Sequence, residues 1–239
     1  MAIEPWRKAR VIRLLDETPN TRRFFMEVPE IDKFDFKPGQ FVTLDLPIHE
    51  KPNKRWRSYS IASWPDGTNK YELVIVLDVN GAGTPYLFKE AGVDFELTYR
   101  GPQGVFTLKD PIDHDLFFIC TGTGIAPFRS MLNHIKIHNI PHKNIYLIFG
   151  CRKKEDLLYY DEMKQLASDM PGINYIPTLS REEWEGRSGY VHAIYEELCA
   201  DHQPAEFFIC GWRGMIDEAK KRIHDLGYDK KDIHQEIYG

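Results

Sequence analysis

Two glycine-rich turns in this 239-residue chain have the composition of a phosphate cradle. Thr121-Gly122-Thr123-Gly124-Ile125-Ala126-Pro127 follows the apolar run from Leu116 to Cys120 and leads into a helical pattern. Glycines let the backbone approach a pyrophosphate, and a helix N-terminus offers free N–H groups and positive potential. Pro127 suits a first helical turn, where its missing N–H costs nothing. It also stands where a full G-x-G-x-x-G would place its third glycine, so this turn alone equally suits an ordinary glycine-rich loop. Gly81-Ala82-Gly83-Thr84-Pro85 has the same form, with Thr84 at the N-cap position and Pro85 at N1. By itself it reads as a capped helix.

Other reactive side chains are placed less productively. Cys120, Cys151, Cys199 and Cys210 form no C-x-x-C pair and no C-x4-C-x2-C run, so an iron–sulfur cluster would have to sit on another protein. His134, His138 and His142 are spaced by four, a separation at which imidazoles on one helical face bind zinc. Pro141 should end that helix first, and no carboxylate or cysteine lies in register, so no metal is assigned. Four of the seven residues in Lys51-Pro52-Asn53-Lys54-Arg55-Trp56-Arg57 are cations, which suits either a solvated loop or a docking patch for an acidic partner.

The net charge of −5 is a poor match to nucleic-acid binding, which needs clustered cations. Residues 1–110 carry equal numbers of acidic and basic side chains, so the acidity belongs to the remainder. No apolar run approaches the roughly 20 residues that span a bilayer. Met1-Ala2-Ile3-Glu4-Pro5-Trp6 lacks a basic segment followed by an apolar one. A cytoplasmic protein without a membrane span is expected.

The elements that must position the turns change character near residue 110. Before it, segments 8–16, 21–28, 40–46, 57–63, 71–79 and 93–99 read as strands, interrupted by one short helix over 84–91. Beyond it, strands at 115–120, 144–150, 173–180, 206–211 and 232–238 alternate with helical segments. The expected fold is a six-stranded antiparallel β-barrel over residues 1–110. An α/β domain follows over 111–239, with a five-stranded parallel sheet flanked by helices. In such a sheet, ligands bind outside the carboxyl ends of the strands.

Five motifs in order resemble the ferredoxin–NADP reductase superfamily of flavoproteins. They are Arg57-Ser58-Tyr59-Ser60, Gly81-x-x-Thr84, Gly122-Thr123-Gly124-Ile125-Ala126-Pro127-Phe128-Arg129, Cys210-Gly211 with Met215, and Glu236-Ile237-Tyr238. The resemblance implies bound FAD and NADPH, with NADH possible. Arg57 would pair with the FAD pyrophosphate, capped by Gly81, Gly83 and Thr84. Tyr59 would stack on the isoalloxazine and Ser60 would reach flavin N5, with Ser58, Val74 and Val76 joining the cofactor-binding set. Gly122, Thr123, Gly124, Pro127 and Gly211 would line the pyridine nucleotide. Cys210 would lie against the nicotinamide and Glu236 would join Ser60 in a polar network. Tyr238 would cover the flavin face that the nicotinamide needs. Ser60, Cys210, Glu236 and Tyr238 are thus the expected catalytic residues.

At the adenosine end, Arg152, Ser180, Arg181 and Tyr190, with Arg187 nearby, resemble the residues that hold a 2′-phosphate and adenine in NADPH-using members. Ser188 stands where plant-type members carry Lys, and Glu182, Glu183 and Glu185 lie close in sequence. The expected activity is electron transfer between NADPH and ferredoxin or flavodoxin, an acidic carrier docking near Lys51, Lys54 and Arg55. The alternatives are an NADH-dependent reductase component of an oxygenase and a non-catalytic flavin-binding regulatory subunit.

Overall fold

The computed structural model describes residues 4–238; residues 1–3, part of the segment read as lacking signal-peptide features, and Gly239 lie outside them. The chain forms two compact units. One runs to Thr107 and takes in Arg129–His134, and the other comprises Leu108–Phe128 and the chain from Ile135 onward.

The first unit contains β1 (Arg7–Thr18), β2 (Thr21–Glu27), β3 (Phe41–Asp45), β4 (Trp56–Ser60), β5 (Lys70–Val76) and β6 (Glu96–Gln103). Every pairing is antiparallel, in the order β4-β3-β6-β1-β2-β5. The two end strands meet at the Ile61–Leu73 bridge, and the Ala62 N–H donates to the Glu72 carbonyl at 2.8 Å. This closes the sheet into the expected barrel. Alternation along the strands sends Phe24, Met26, Val42, Leu44, Leu73, Ile75, Leu97 and Tyr99 inward. Each such large apolar side chain contributes about 1.5–3 kcal/mol by leaving water. Helix α1 (Gly83–Glu90) adds Leu87 to the same core.

The second unit is a parallel sheet of β7 (Asp115–Thr121), β8 (Ile145–Cys151), β9 (Ile173–Leu179), β10 (Arg187–Ser188), β11 (Ala205–Trp212) and β12 (Ile233–Tyr238). The order is β10-β9-β8-β7-β11-β12. Helices α2 (Ala126–His138), α3 (Tyr160–Asp169), α4 (Val191–Leu198) and α5 (Arg213–Asp225) make the crossovers. Strands such as β7 are continuously apolar because a parallel sheet is covered on both faces. The sheet has six strands where five were expected. The extra one, β10, is two exposed residues long and carries no hydrophobic period. Successive strands run outward from β7 through β8 to β9, and the chain then returns to place β11 on the other side of β7. The switch point of the sheet therefore lies between β7 and β11, the position at which open α/β sheets bind ligands.

Candidate functional site

In the first unit, β4 aligns Arg57 and Tyr59 opposite Leu44 and Val42 of β3. The Arg57 Nη1 donates to the carbonyls of Trp56 (2.8 Å) and Lys54 (3.1 Å), which anchors one side of the guanidinium. Its stem crosses the start of α1: a Cβ on Gly83 would stand 3.0 Å from the Arg57 Cγ and 3.1 Å from Nε. Any side chain at position 83 would therefore push the Arg57 stem back by a few tenths of an ångström. Helix α1 begins without a side-chain cap and without an acidic residue in its first turn. A guanidinium at the positive end of a helix reverses the usual electrostatic preference. An anion relieves both charges at once, so the cradle fits a pyrophosphate.

Thr84 is not the N-cap expected from its position; Ala82 is. The Thr84 hydroxyl instead accepts the Asp78 N–H at 2.8 Å and donates to the Asp78 carbonyl at 3.3 Å, closing the loop between β5 and α1. Pro85 correspondingly lies at the third helical position rather than the first. The Gly81 N–H is likewise spent on the Asp78 carbonyl at 3.1 Å, so a ligand would meet the backbone N–H groups at the start of α1 instead. Ser58 is turned away from Arg57 and Tyr59 by strand alternation, and its hydroxyl bonds Thr43 Oγ1 at 3.0 Å. Tyr59 is half-buried, and burial pushes its hydroxyl up to about 12 against the opposing pull of Arg57. Ser60 and Val74 are buried and Val76 is exposed. Leu73 and Ile75 belong to the barrel core, so Val74 and Val76 lie on the opposite, outer face of β5.

In the second unit, two loops interlock at the switch point. A Cβ on Gly124 would lie 2.4 Å from the Cys210 carbonyl oxygen, and one on Gly211 would lie 2.6 Å from Thr121 Oγ1. Gly211 also has φ +145, where side chains are strained. Gly122 differs: its φ is +54 and open space lies above it, the geometry of a backbone that a ligand can approach. Residues Gly122–Ile125 form a short 3-10 turn, and α2 follows with Pro127 at its start and no side-chain cap. Thr123 is half-buried in that turn.

Cys210 pairs in register with Glu236, and Tyr238 lies two residues further along the same face of β12. Burial and the Glu236 charge hold the Cys210 thiol well above its ordinary range, opposed by the neighbouring Tyr238 hydroxyl. Cys210 is therefore a neutral thiol, suited to packing against a ring rather than to nucleophilic attack. The structure brings three of the four expected catalytic residues together; Ser60 belongs to the first unit.

The adenosine end lies at β8, β9 and β10. The Ser180 hydroxyl donates to the Cys151 carbonyl at 3.2 Å, and the Arg181 N–H donates to the Arg152 carbonyl at 3.0 Å. These bonds place the exposed Arg152 and Arg181 together. Arg181 lines an open cleft of about 490 Å³ with Lys153, Lys154, Glu155 and Glu182. Lys154 is held by Glu185 at 2.7 Å. Tyr190, 72% exposed, stands free at the start of α4. Arg187, expected near the nucleotide, has both its terminal nitrogens forked onto Glu197.

Sequence reading passed over Lys153, which lines the cleft, and the buried pair Glu72 and Arg129. Lys153 carries no signal of its own in the sequence, and the pairing of Glu72 with Arg129 across 57 residues has no local one.

Residues 8–108 match the oxidoreductase FAD-binding domain family and residues 118–221 the oxidoreductase NAD-binding domain family. Ferredoxin–NADP reductase B of Sorangium cellulosum is 36% identical, over 98% of this chain and 98% of its own. The anthranilate 1,2-dioxygenase electron transfer component of Acinetobacter baylyi is 31% identical over 87% of this chain, which spans 60% of that longer protein. A solved ferredoxin NADP+ reductase from Neisseria gonorrhoeae with bound FAD and NADP superposes with a TM-score of 0.81. It is 25% identical, and the match covers 97% of this chain and 98% of that one. A closed antiparallel barrel of the FAD-binding type followed by a parallel sheet of the NAD-binding type defines a flavin- and nicotinamide-dependent oxidoreductase. The chain belongs to the ferredoxin–NADP reductase superfamily. It is accordingly an enzyme, which removes the reading as a non-catalytic binding subunit. No helix among the described residues is long and apolar enough to cross a membrane.

Proposed function

We propose that this enzyme exchanges electrons between NADPH and a one-electron carrier protein, a ferredoxin or flavodoxin. The FAD-binding domain would span residues 1–110 and the NAD(P)-binding domain residues 111–239. The observation that carries the reading is the Cys210–Glu236–Tyr238 cluster at the switch point, since a protein that merely binds flavin needs no such arrangement. Bound FAD supplies the chemistry, accepting a hydride and releasing its electrons singly.

The protein supplies binding and orientation. Arg57 and the start of α1 would hold the pyrophosphate, with Gly81, Gly83 and Thr84 shaping the turn. Tyr59 would cover a flavin face, Ser60 would donate to N5, and Ser58, Val74 and Val76 would complete the surround. Gly122, Thr123, Gly124, Pro127 and Gly211 would shape the nicotinamide end. Cys210 would pack against the nicotinamide, Glu236 would hold or release a proton, and Tyr238 would occupy the stacking position that the nicotinamide must take.

NADPH is favoured over NADH by Arg181 and Lys153, cations lining one cleft, by the exposed Arg152, and by Tyr190, free to stack on adenine. Ser180 would hold the loop that presents them. The second reading, an NADH-dependent oxygenase reductase component, is favoured by the acidic side of that cleft, where Glu182 accepts the Lys154 N–H at 2.8 Å. The carrier would dock near the exposed Lys51 and Lys54; Arg55 is committed to Asp45 at 2.8 Å and contributes less. Four free cysteines agree with a cytoplasmic, reducing location. Steady-state reduction of a generic acceptor by NADPH and NADH, measured side by side on the yellow holoprotein, tests the reading. A protein that takes up no FAD, or that turns over with neither nucleotide, would overturn it.

A further inference from the structure

The first unit buries a charged cluster for which the chemistry above has no use. Glu72 on β5 is 4% exposed. Its carboxylate receives the Arg23 Nε and Nη2 at 2.7 and 3.1 Å and the Arg129 Nη1 at 3.2 Å. Arg23 also meets Glu17 at 3.2 Å, so two guanidiniums are matched by two carboxylates. Arg129 is as deeply buried as Glu72, and its guanidinium lies over the Trp64 ring at 5.3 Å.

Stability is a weak reason for such a cluster. Desolvation offsets most of the attraction in a buried ion pair, and well-packed apolar residues commonly serve as well. Geometry is a better one. The same Nη1 of Arg129 that meets Glu72 donates to the carbonyl of Ala62 at 2.8 Å. The Ala62 N–H donates to the Glu72 carbonyl at 2.8 Å, and the Glu72 N–H donates to the Ser63 hydroxyl at 2.9 Å. The Ile61 N–H is held by the Gln40 carbonyl at 3.0 Å. Three consecutive residues after Ser60 are therefore fixed, two of them by Glu72 or Arg129. Arginine suits this position because one planar group can meet a carbonyl, a carboxylate and an aromatic face together.

We infer that Glu72 and Arg129 are positioning residues that fix the end of β4, and with it Tyr59 and Ser60, for the flavin. The inference rests on the proposed roles of Tyr59 and Ser60 as flavin contacts. Arg23 meets the carboxylates of Glu72 and Glu17, whereas Arg129 meets Glu72 and the Ala62 carbonyl, so Arg23 provides an internal comparison.

The experiment uses holoprotein carrying Arg129→Met, Arg129→Lys, Glu72→Gln or Arg23→Met. FAD release is followed by recovery of flavin fluorescence, alongside the visible flavin spectrum and the thermal midpoint. Arg129→Met and Glu72→Gln should speed FAD release about tenfold, the effect of misplacing one charge-assisted hydrogen bond, and shift the flavin band. Arg129→Lys keeps the charge and should restore much of both. Arg23→Met should lower the thermal midpoint while leaving release and spectrum near wild type. If Arg129→Met does not fold, Arg129→Lys against Arg23→Met carries the comparison, with Lys expected to show the larger spectral change. Wild-type release and spectra in the Arg129 and Glu72 variants, or equal changes in Arg23→Met, would overturn the inference alone. Wild-type protein that binds no FAD would instead overturn the reading on which it rests.

Discussion

Two regions of the parallel sheet are held by different forces. At the switch point, Gly124 and Gly211 exist because two loops pass at van der Waals distance, and the neighbouring Cys210 is fully buried. Toward the β9–β10 side, Arg152, Arg181 and Tyr190 are exposed, and the cleft mixes cations with Glu155 and Glu182. The first region answers to volume and the second to charge. The proposed division of labour follows: the end where hydride moves is fixed by packing, and the end that reads the nucleotide works through electrostatics.

Gly124→Val should break the packed end with the largest effect. Its new side chain starts 2.4 Å from a backbone oxygen that cannot swing aside. Overpacking of this kind costs about 1–3 kcal/mol and occasionally more. Urea unfolding should show a loss at the upper end of that range, and turnover with NADPH and NADH should fall together. A selective loss with one nucleotide would blur the contrast between the two ends.

Arg181→Ala should leave stability nearly unchanged while raising the Michaelis constant for NADPH. A charge-assisted contact to phosphate is worth about 1.5–3 kcal/mol, or roughly 10-fold to 100-fold. The constant for NADH should move far less, and the NADPH effect should shrink as salt rises. Equal effects on both nucleotides would show that Arg181 does not read the 2′-phosphate.

The packed end should also carry an alkaline signature. Burial raises the Cys210 thiol well above its ordinary 9.0. The unfolded chain therefore loses this proton first, and stability present below pH 9 declines as pH rises beyond it. The slope is at most about 1.4 kcal/mol per pH unit for one such group. Urea midpoints measured from pH 8 upward should fall less steeply in Cys210→Ala than in wild type. Identical slopes would mean that the thiol is not shielded as the sheet requires.

The smallest effect is expected from Tyr238→Ser. Removing a competitor for the nicotinamide position should tighten oxidised-nucleotide binding by several-fold, about 1 kcal/mol or less. It should also slow turnover and alter the flavin absorption band. An unchanged spectrum and unchanged affinity would place that ring off the flavin.

Most strands were legible because their period is local: alternation in Phe24 and Met26, continuous apolar character in β7. The loops at the strand ends were legible from Gly and Pro chemistry, but one reason for a glycine was not. Gly124 serves the approach of Cys210, and nothing near residue 124 in sequence reveals a neighbour 86 positions away. Thr84 was misplaced by two helix positions because its hydroxyl finds Asp78 before it finds the helix end. Arg187 looked available for a phosphate until the fold supplied Glu197. β10 escaped notice because two exposed residues carry no pattern. Partners distant in sequence are what sequence reading lost.

That small strand has a consequence for how such enzymes diverge. β10 pairs through Arg187 and Ser188 with Thr178 and Leu179 at the margin of the sheet, and most of residues 181–190 lie in solvent. An insertion or deletion there disturbs an edge and leaves the interlocked glycines untouched. Under the proposed reading the segment is a replaceable cassette: rewriting these ten residues would trade one dinucleotide for the other, by descent or by a grafted loop, and would leave the proposed redox residues in place.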